Sequence, residues 1–399
     1  MGRTHPASCG NSCRGSALRI LLAPDSFKGS LSAPQACEAM AAGIRRVLPE
    51  AEIRALPLAD GGEGTTEALL AAAGGSRQSV WVTGPLPAER PRVEAALGWL
   101  ADGTAVLEMA SASGLPLVSP PQRDPLHTTS FGTGELIAAA LDGGARRLIV
   151  GLGGSATNDL GAGMAQALGV RFLRTDGSPI EAPLTGGGLA EVAALQLTGL
   201  HPGLARCRIE LACDVDNPLL GERGATAVFG AQKGATAETQ ALLETHFITL
   251  IDQLEAVTGR RVRDRPGAGA AGGMAAMLLA LANVELNSGI EIVLAASGFA
   301  AALDGADLLL TGEGRIDGQS ADGKTLSGVA RAAAAAGVPV LAIAGEIGPG
   351  AEALQRLGVG GLITLVPGPM GRTEAIVRAA ELMADAAERL LRLVLAVRR

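Results

Sequence analysis

The sequence LRILLAPDSFKGSLSAPQACEAMAAGIRRVL, residues 18–48, decides the fold because it combines a strand, a polar loop and a helix. The apolar run over residues 18–23 predicts a buried strand that ends at Pro24. Ser32 is a favourable N-cap and Pro34 suits the first helical turn, so a helix is predicted to about residue 48. A strand followed directly by a helix predicts the first βα unit of an α/β fold.

The same alternation of strands and helices continues on both sides of a central segment, residues 86–284, whose pattern differs. Outside that segment, strands are predicted over residues 53–58, 80–82, 307–310, 338–343 and 362–365, and helices over 64–73, 326–336 and 373–397. Inside it, Asp102-Gly103 predicts a β-hairpin between the runs 93–100 and 104–109. Further strands are predicted over 147–150 and 209–212, with helices from about 133, from 158 and over 237–257. Such alternation predicts parallel sheets covered by helices.

We therefore predict an α/β protein of two domains. A discontinuous parallel-sheet domain takes residues 18–85 and 285–399, and a second α/β domain, residues 86–284, is inserted into it. Residues 1–17 carry no apolar signal-peptide core and are expected to form a flexible N-terminal extension. Ligands of parallel sheets bind beyond the carboxyl ends of the strands. Polar loops that follow strands are therefore the candidate site.

The composition narrows the possible functions. Aromatic residues make up 2% of the chain, Tyr is absent and the net charge is −7, which argues against a nucleic-acid partner. No run of about 18 apolar residues is free of charge, so no membrane span is predicted. The five cysteines show neither disulfide nor zinc spacing, which favours a reduced, cytoplasmic setting.

Lysine is rare in this chain. Of 33 basic residues only three are lysines, Lys28, Lys233 and Lys324, and each stands next to glycine in a polar segment. Arginine evidently supplies positive charge elsewhere, whereas the compact lysine ammonium suits a phosphate group. We expect at least two of these lysines to be functional, although surface positions without a role are the alternative.

Two polar loops follow the first two predicted strands. Asp25-Ser26-Phe27-Lys28-Gly29-Ser30 places a carboxylate, two hydroxyls and a lysine just before a helix, which favours anion binding. Asp60-Gly61-Gly62-Glu63-Gly64-Thr65 offers two carboxylates for Mg²⁺ or for substrate hydroxyls. Turn formation alone is the alternative in both cases.

Three more polar loops follow later strands. In residues 151–159, GLGGSATND, successive glycine amides can form a phosphate nest. In residues 213–217, CDVDN, only one of the two carboxylates is expected to face the site. Residues 311–317, TGEGRID, lead to Gly323-Lys324-Thr325, and the segment 318–325 has Walker A spacing. Residues 312–317 separate it from its strand, so we do not interpret it as a P-loop. The inventory of phosphate loops, lysines and carboxylates fits phosphoryl transfer best.

The loops, taken together, resemble the type-1 glycerate kinases of bacteria. The similarity rests on APDSFKGSLSA (23–33), ADGGEGT (59–65), TTSFGTGELI (128–137), GLGGSATND (151–159), CDVDNPLLGERGA (213–225), FGAQKGA (229–235), PGAGAAGG (266–273), TGEGRIDGQS (311–320) and GKTLSGVA (323–330). The chain departs from the family mildly, with Ala231 where proline is more common.

The resemblance implies transfer of a phosphoryl group from ATP to glycerate with Mg²⁺. It also implies a fold of two α/β domains, of which the first is flavodoxin-like, as in the glycerate kinase I fold. The usual product is 2-phosphoglycerate, with 3-phosphoglycerate as an alternative, in the breakdown of glyoxylate, glycolate or glucarate. The sequence leaves open whether the chain forms a homodimer.

As a hypothesis, each candidate residue receives a role in that reaction. Catalytic roles go to Asp60, which would orient the acceptor hydroxyl, and to Lys28, Arg315 and Asp214. Substrate contacts are expected from Asp25, Ser26, Lys28, Glu63 and Ser130. ATP contacts are expected from Gly153, Gly154, Ser155, Thr157, Asn158, Glu313 and Lys324. Metal contacts are expected from Asp214 and Asp317. A kinase for another small hydroxy acid and a non-catalytic nucleotide-binding regulator remain alternatives.

Overall fold

The structure is a computed structural model that describes residues 17–89, 91–321 and 325–397. Within these ranges the strands are β1 (Arg19–Leu22), β2 (Glu52–Ala55), β3 (Gly75–Thr83), β4 (Arg92–Leu100), β5 (Ala105–Glu108), β6 (Arg147–Gly151), β7 (Arg171–Leu173), β8 (Ala194–Gln196), β9 (Arg208–Ala212), β10 (Asn283–Asn287), β11 (Leu308–Ile316), β12 (Val340–Ile347) and β13 (Val359–Thr364). All but the last residue of the expected N-terminal extension, 1–17, lies outside the described residues.

Helices follow most of the parallel strands. They are α1 (Ala33–Arg45), α2 (Thr65–Ala73), α3 (Ala110–Ser113), α4 (Phe131–Asp142), α5 (Ala162–Ala167), α6 (Ala225–Phe229), α7 (Ala237–Thr258), α8 (Met274–Leu281), α9 (Gly289–Ala296), α10 (Phe299–Leu303), α11 (Thr325–Ala335), α12 (Arg372–Val377) and α13 (Ala379–Val397). Ser32 caps α1 in a capping box with Gln35, as the sequence predicts for the cap. Among the described helices none is long and apolar enough to cross a membrane.

The strands form two large sheets. The first has the order β13-β12-β11-β1-β2 and is parallel throughout. The second has the order β10-β9-β6-β5-β4-β3, in which β3, β4 and β5 are antiparallel and the strands from β5 to β10 are parallel. The predicted hairpin at Asp102-Gly103 is confirmed as the β4–β5 connection.

The change from one sheet to the other does not coincide with the predicted domain boundaries at residues 85 and 285. The strand β3 lies before residue 85 but pairs over its whole length with β4, so it belongs to the second sheet. At the other end, β10 closes the second sheet and runs past residue 285 to Asn287. The local pattern in β3 identifies a strand but carries no information on its partner, so the sequence does not place β3 in the second sheet. The domain boundary at residue 85 stays a prediction.

Five layers stack in the order helices, sheet, helices, sheet, helices. Along β1, Ile20 and Leu22 pack against α1 and α13, whereas Leu21 faces the opposite side. That opposite side shares one continuous core with the second sheet, which contributes Val106 and Ile149 to it. The remaining face of the second sheet packs against α4, α5, α7 and α8. Because the two sheets share their middle layer of helices, their carboxyl edges hold a fixed position relative to each other.

Two element boundaries differ from the prediction in ways that affect the site. The strand β11 continues through Ile316, so the segment predicted as the loop 311–317 is mostly strand, paired with β12. Helix α5 begins at Ala162 rather than at residue 158, because Leu160 (φ 54°) and Gly161 (φ 72°) have left-handed backbones that a helix cannot contain.

Candidate active site

The carboxyl ends of both sheets meet at one cleft with two cavities. The first cavity, about 380 Å³, lies between the loop after β1, the start of α2 and the end of β5, and includes Ser26 and Glu108. The second, about 310 Å³, lies between the loops after β2, β6 and β9. Lys28 and Glu63 line both cavities, so they mark the place where the two spaces adjoin.

Several predicted residues are brought together at these cavities. Ser26, Lys28 and Glu63 line the first cavity. The second is lined by Lys28, Asp60, Glu63, Gly153, Gly154, Ser155 and Asp214. The Nζ atom of Lys28 lies 3.9 Å from Oδ2 of Asp60, and the Lys28 side chain is 70% exposed. The loops after β1 and β2 thus present an accessible cation beside a carboxylate.

Asp25 is a buried carboxylate in the loop after β1, next to Ser26. Its carboxylate accepts hydrogen bonds from Oγ1 of Thr325 at 2.7 Å and from the backbone N–H of Ser26 at 2.6 Å. Only 5% of the residue is exposed. Burial, with a further contribution from the negative charge of Asp60, raises the pKa of Asp25 from 3.8 to about 6. The predicted substrate contact of Asp25 remains a prediction, since the residue is not part of either cavity wall.

The raised pKa of Asp25 predicts a pH-dependent effect on stability. The folded chain binds this proton more tightly than the unfolded chain, so the stabilisation is fully present below pH 3.8 and is lost as the pH rises through about 6. We expect Asp25→Asn to be more stable than the parent at about pH 8, by up to about 3 kcal/mol, and equal to it at about pH 4. Denaturant unfolding at the two pH values measures the difference. An Asn variant that is less stable at about pH 8 would contradict the assignment, and Asp216→Asn, at an exposed carboxylate outside both cavities, serves as the control.

Glycine allows loops from the two sheets to approach closely in the second cavity. A Cβ atom on Gly61 (φ 86°) would lie 2.6 Å from Cβ of Ala212, at the end of β9. A Cβ atom on Gly153 would lie 3.0 Å from Cα of Gly62. Side chains at these positions would force the loops apart. The backbone of Gly153 and Gly154 therefore forms an open wall that a bulky anion can approach.

Two predicted ATP contacts lie behind that wall. Thr157 and Asn158 are fully buried, and Nδ2 of Asn158 donates a hydrogen bond to Oγ1 of Thr226 at 2.9 Å. Neither residue belongs to the cavity lining. Direct contact of these two side chains with ATP stays a prediction, because they form the buried end of the glycine-rich loop rather than its cavity wall.

The loop after β9 sends its two carboxylates in different directions. Oδ1 of Asp214 accepts hydrogen bonds from Oγ of Ser288 at 3.0 Å and from the backbone N–H of Gly289 at 2.9 Å, and Asp214 lines the second cavity. Asp216 instead forms an exposed ion pair with Arg223. The expectation that only one of the two carboxylates faces the cavity is confirmed.

Among the site residues predicted in the segment after Thr311, Arg315 and Asp317 form an ion pair outside both cavities. Nε of Arg315 lies 3.0 Å from Oδ2 of Asp317, and Nη1 lies 2.9 Å from Oε1 of Glu346. None of these three residues lines either cavity, and the same holds for Glu313. The role of Arg315 and Glu313 therefore remains a prediction, and Lys324 lies outside the described residues.

Ser130 does not face the cleft. It is fully buried, and its hydroxyl donates a hydrogen bond to Oδ2 of Asp159 at 2.6 Å and accepts one from the backbone N–H of Met164 at 2.9 Å. The substrate contact of Ser130 stays a prediction, and the hydrogen bonds of its hydroxyl do not support it. A serine ahead of a helix gives the same sequence signal whether its hydroxyl faces a ligand or a buried carboxylate.

Sequence reasoning missed one residue of the first cavity wall, Glu108. Glu108, at the end of β5, accepts hydrogen bonds from the backbone N–H of Gly64 at 3.0 Å and of Thr66 at 2.7 Å. It thereby caps the N-terminus of α2, whose N-cap residue Gly64 offers no side chain. Burial raises the pKa of Glu108. Lys233, one of the three lysines that the sequence singles out, lies in the wall of the second cavity. A polar residue directly after a strand was the available signal for Glu108.

Removal of this cap has a measurable expected effect. Glu108→Ala removes both acceptors at the α2 N-terminus and leaves the N–H groups of Gly64 and Thr66 without them, so we expect a loss of about 1 kcal/mol in the free energy of unfolding. Denaturant unfolding of the variant and of the exposed Glu50→Ala control measures this. Equal stability of Glu108→Ala and the parent would show that α2 does not depend on Glu108.

The donor groups of the second cavity fit a magnesium–nucleotide pair. Among the described residues, no three His, Cys, Asp or Glu side chains are grouped so that they could hold a metal ion by themselves. Asp60 and Asp214 nevertheless offer oxygen donors in the cavity that the glycine-rich loop lines. Mg²⁺ is commonly held by one or two carboxylates together with substrate phosphates and water. Asp317, the other predicted ligand, is not part of this wall.

Comparison with known proteins identifies the family. The sequence profile of the Glycerate kinase family matches residues 20–395. The chain is 50% identical over 367 residues to the glycerate kinase of Bacillus subtilis (strain 168), covering 92% of this chain and 95% of that protein. It is 45% identical over 350 residues to the glycerate 2-kinase of Escherichia coli (strain K12), covering 88% and 91%. A crystal structure of a glycerate kinase 2 candidate from Salmonella typhimurium LT2 matches with a TM-score of 0.86 at 44% identity, over 96% of this chain and all of that one. The predicted family and the α/β fold are thus confirmed, and the chain belongs to the glycerate kinase family.

Proposed function

We propose that this chain transfers a phosphoryl group from ATP to the 2-hydroxyl of D-glycerate. The observation that carries the proposal is the junction of the two cavities, where Lys28 is shared by both and lies 3.9 Å from Asp60. Phosphoryl transfer requires a donor and an acceptor that meet beside a cation and a carboxylate. A glycerate 2-kinase among the relatives supports the 2-hydroxyl as the acceptor.

The second cavity is the proposed position of the ATP phosphates. Its wall contains Gly153, Gly154 and Ser155, in the loop that follows β6. Backbone N–H groups in such a loop bind phosphate oxygens. Asp214, on the same wall, would hold the magnesium ion, which supplies neutralisation of phosphate charge when it is bound.

The first cavity is the proposed position of glycerate. Its wall combines Ser26, Lys28, Ser30 and Ser32, immediately before the N-terminus of α1. Hydroxyls, an ammonium group and a helix N-terminus together favour a small hydroxylated carboxylate. Asp60, next to Lys28, would accept the hydrogen bond of the reacting hydroxyl and orient it toward the second cavity.

A substrate panel tests this proposal. Purified protein with ATP and Mg²⁺ is expected to release ADP in the presence of D-glycerate, and at a much lower rate with glycolate, lactate or no acceptor. Faster turnover of another hydroxy acid would replace glycerate as the substrate. ATP binding without release of ADP for any acceptor would instead support a non-catalytic regulator.

A further inference from the structure

Lys233 is a buried lysine that faces the proposed phosphate cavity. It ends the short 3-10 turn Ala231–Lys233 after α6, and only 1% of the residue is exposed. Its Nζ atom donates a hydrogen bond of 2.7 Å to the backbone carbonyl of Thr157, in the glycine-rich segment that follows β6. Lys233 also lines the second cavity together with Gly153 and Gly154.

The ammonium group has more donors than the folded chain satisfies. A lysine ammonium carries three N–H donors, and among the described residues only the Thr157 carbonyl accepts from Lys233. Asp159 is the carboxylate that favours its charged form, but its oxygens already accept from Ser130, Gly161 and Gly163. A buried ammonium with unfilled donors is unfavourable unless a further acceptor reaches it.

The charged groups around Lys233 leave room for an anion beside its ammonium group. Burial lowers the pKa of Lys233 to about 7, and the charge of Asp159 offsets only part of that effect. A buried hydroxyl beside this contact, Oγ1 of Thr157, has no hydrogen-bond partner among the described residues and can donate to an anion. The surroundings of Lys233 thus offer a second donor to the same ligand.

We propose that Lys233 binds the polyphosphate of the nucleotide from inside the second cavity, while it also holds the glycine-rich loop through the Thr157 carbonyl. This inference rests on the proposed function, because it assumes that the second cavity takes the phosphates. Lys233 would then contact the phosphates from the protein interior, whereas Lys28 would contact them from the exposed junction of the two cavities.

A purely structural role is the alternative, and nucleotide affinity distinguishes the two. Lys233→Met preserves side-chain length and removes a buried charge, so the variant is expected to keep the melting temperature of the parent within a few degrees. Titration calorimetry with ADP and with tripolyphosphate, without glycerate, is expected to show binding at least about tenfold weaker than for the parent, as for loss of one charge-assisted hydrogen bond. Arg223→Met, which removes an exposed cation paired with Asp216, is the control and should bind like the parent.

The kinetic constants provide a second readout. Lys233→Met is expected to raise KM for ATP at least about tenfold and to leave KM for glycerate within about threefold. A folded variant with parental affinity for ADP and tripolyphosphate would overturn the proposal. Failure of the proposed function is separately visible, since the parent protein would then bind nucleotide without phosphorylating glycerate.

A measurement on the unmodified chain covers the case in which Lys233→Met fails to fold. Because the chain has only three lysines, selective ¹³C labelling of lysine gives few ε-methylene signals, and Lys28→Met and Lys324→Met assign the remaining one to Lys233. Addition of tripolyphosphate is expected to shift the Lys233 signal. A signal that stays unchanged at saturating tripolyphosphate would overturn the proposal.

Discussion

Asp60→Asn is expected to lower kcat for glycerate phosphorylation by about 1000-fold, within the range of a lost catalytic carboxylate. Asparagine keeps the Oδ1 acceptor that the backbone N–H of Gly62 uses at 3.0 Å, so the loop after β2 should retain its shape. It cannot carry the negative charge that attracts the proton of the acceptor hydroxyl. The variant should therefore fold and bind both substrates but turn over slowly.

Steady-state kinetics with ATP and D-glycerate measures the effect of Asp60→Asn. Asp216→Asn is the matched control, since Asp216 is exposed and pairs with Arg223 outside the cavity. Its kcat should equal that of the parent. An Asp60→Asn variant with more than about one tenth of the parental kcat would remove Asp60 from the reaction and leave Glu63 or Asp214 to be tested in its place.

Lys28→Met is expected to lower kcat/KM for glycerate by about 100- to 1000-fold. The Lys28 side chain lines both cavities, so its ammonium group can stabilise negative charge on the acceptor and on the phosphoryl group that moves between them. Because 70% of the side chain is exposed, its loss should not change the stability of the fold. The decrease should therefore appear in the kinetic constants alone.

Lys28→Arg separates charge from shape at this position. Arginine restores the positive charge but presents it as a planar fork, so we expect only partial recovery of kcat/KM. Kinetics of the parent, Lys28→Met and Lys28→Arg under the same conditions provides the comparison. A Lys28→Met variant as active as the parent would place the transfer away from the junction of the two cavities.

The loops of the site were predictable because each stands at the end of a strand. Apolar runs identified β1, β2, β6 and β9, and parallel strands bring their carboxyl ends to one edge. Lys28, Asp60, Gly153 and Asp214 were found in this way, although they belong to two different sheets. Their meeting in one cleft follows from the shared middle layer of helices.

Other features could not be predicted because they depend on distant partners. The segment Gly312–Ile316 contains two glycines and two charged residues, which is typical of a loop, yet β12 pairs with it as a strand. The strand β3 pairs with β4 rather than with the sheet of its chain neighbours. Both outcomes are set by tertiary pairing that overrides local propensity.

Burial is the other feature that the sequence does not reveal. Ser130, Thr157 and Asn158 are polar residues of connecting segments, and such positions are usually exposed, but here all three are fully buried. Lys233 is equally buried. Charged and polar side chains in the interior are exceptions that require particular partners, and the sequence of the segment does not reveal those partners.

The most direct test of the account is an assay that detects the position of the new phosphate. Purified protein, ATP, Mg²⁺ and D-glycerate are combined with enolase, which accepts 2-phosphoglycerate, and phosphoglycerate mutase is left out. The account predicts formation of phosphoenolpyruvate at the rate at which ADP is released. Release of ADP without phosphoenolpyruvate would contradict transfer to the 2-hydroxyl, and no release of ADP would contradict the proposed reaction as a whole.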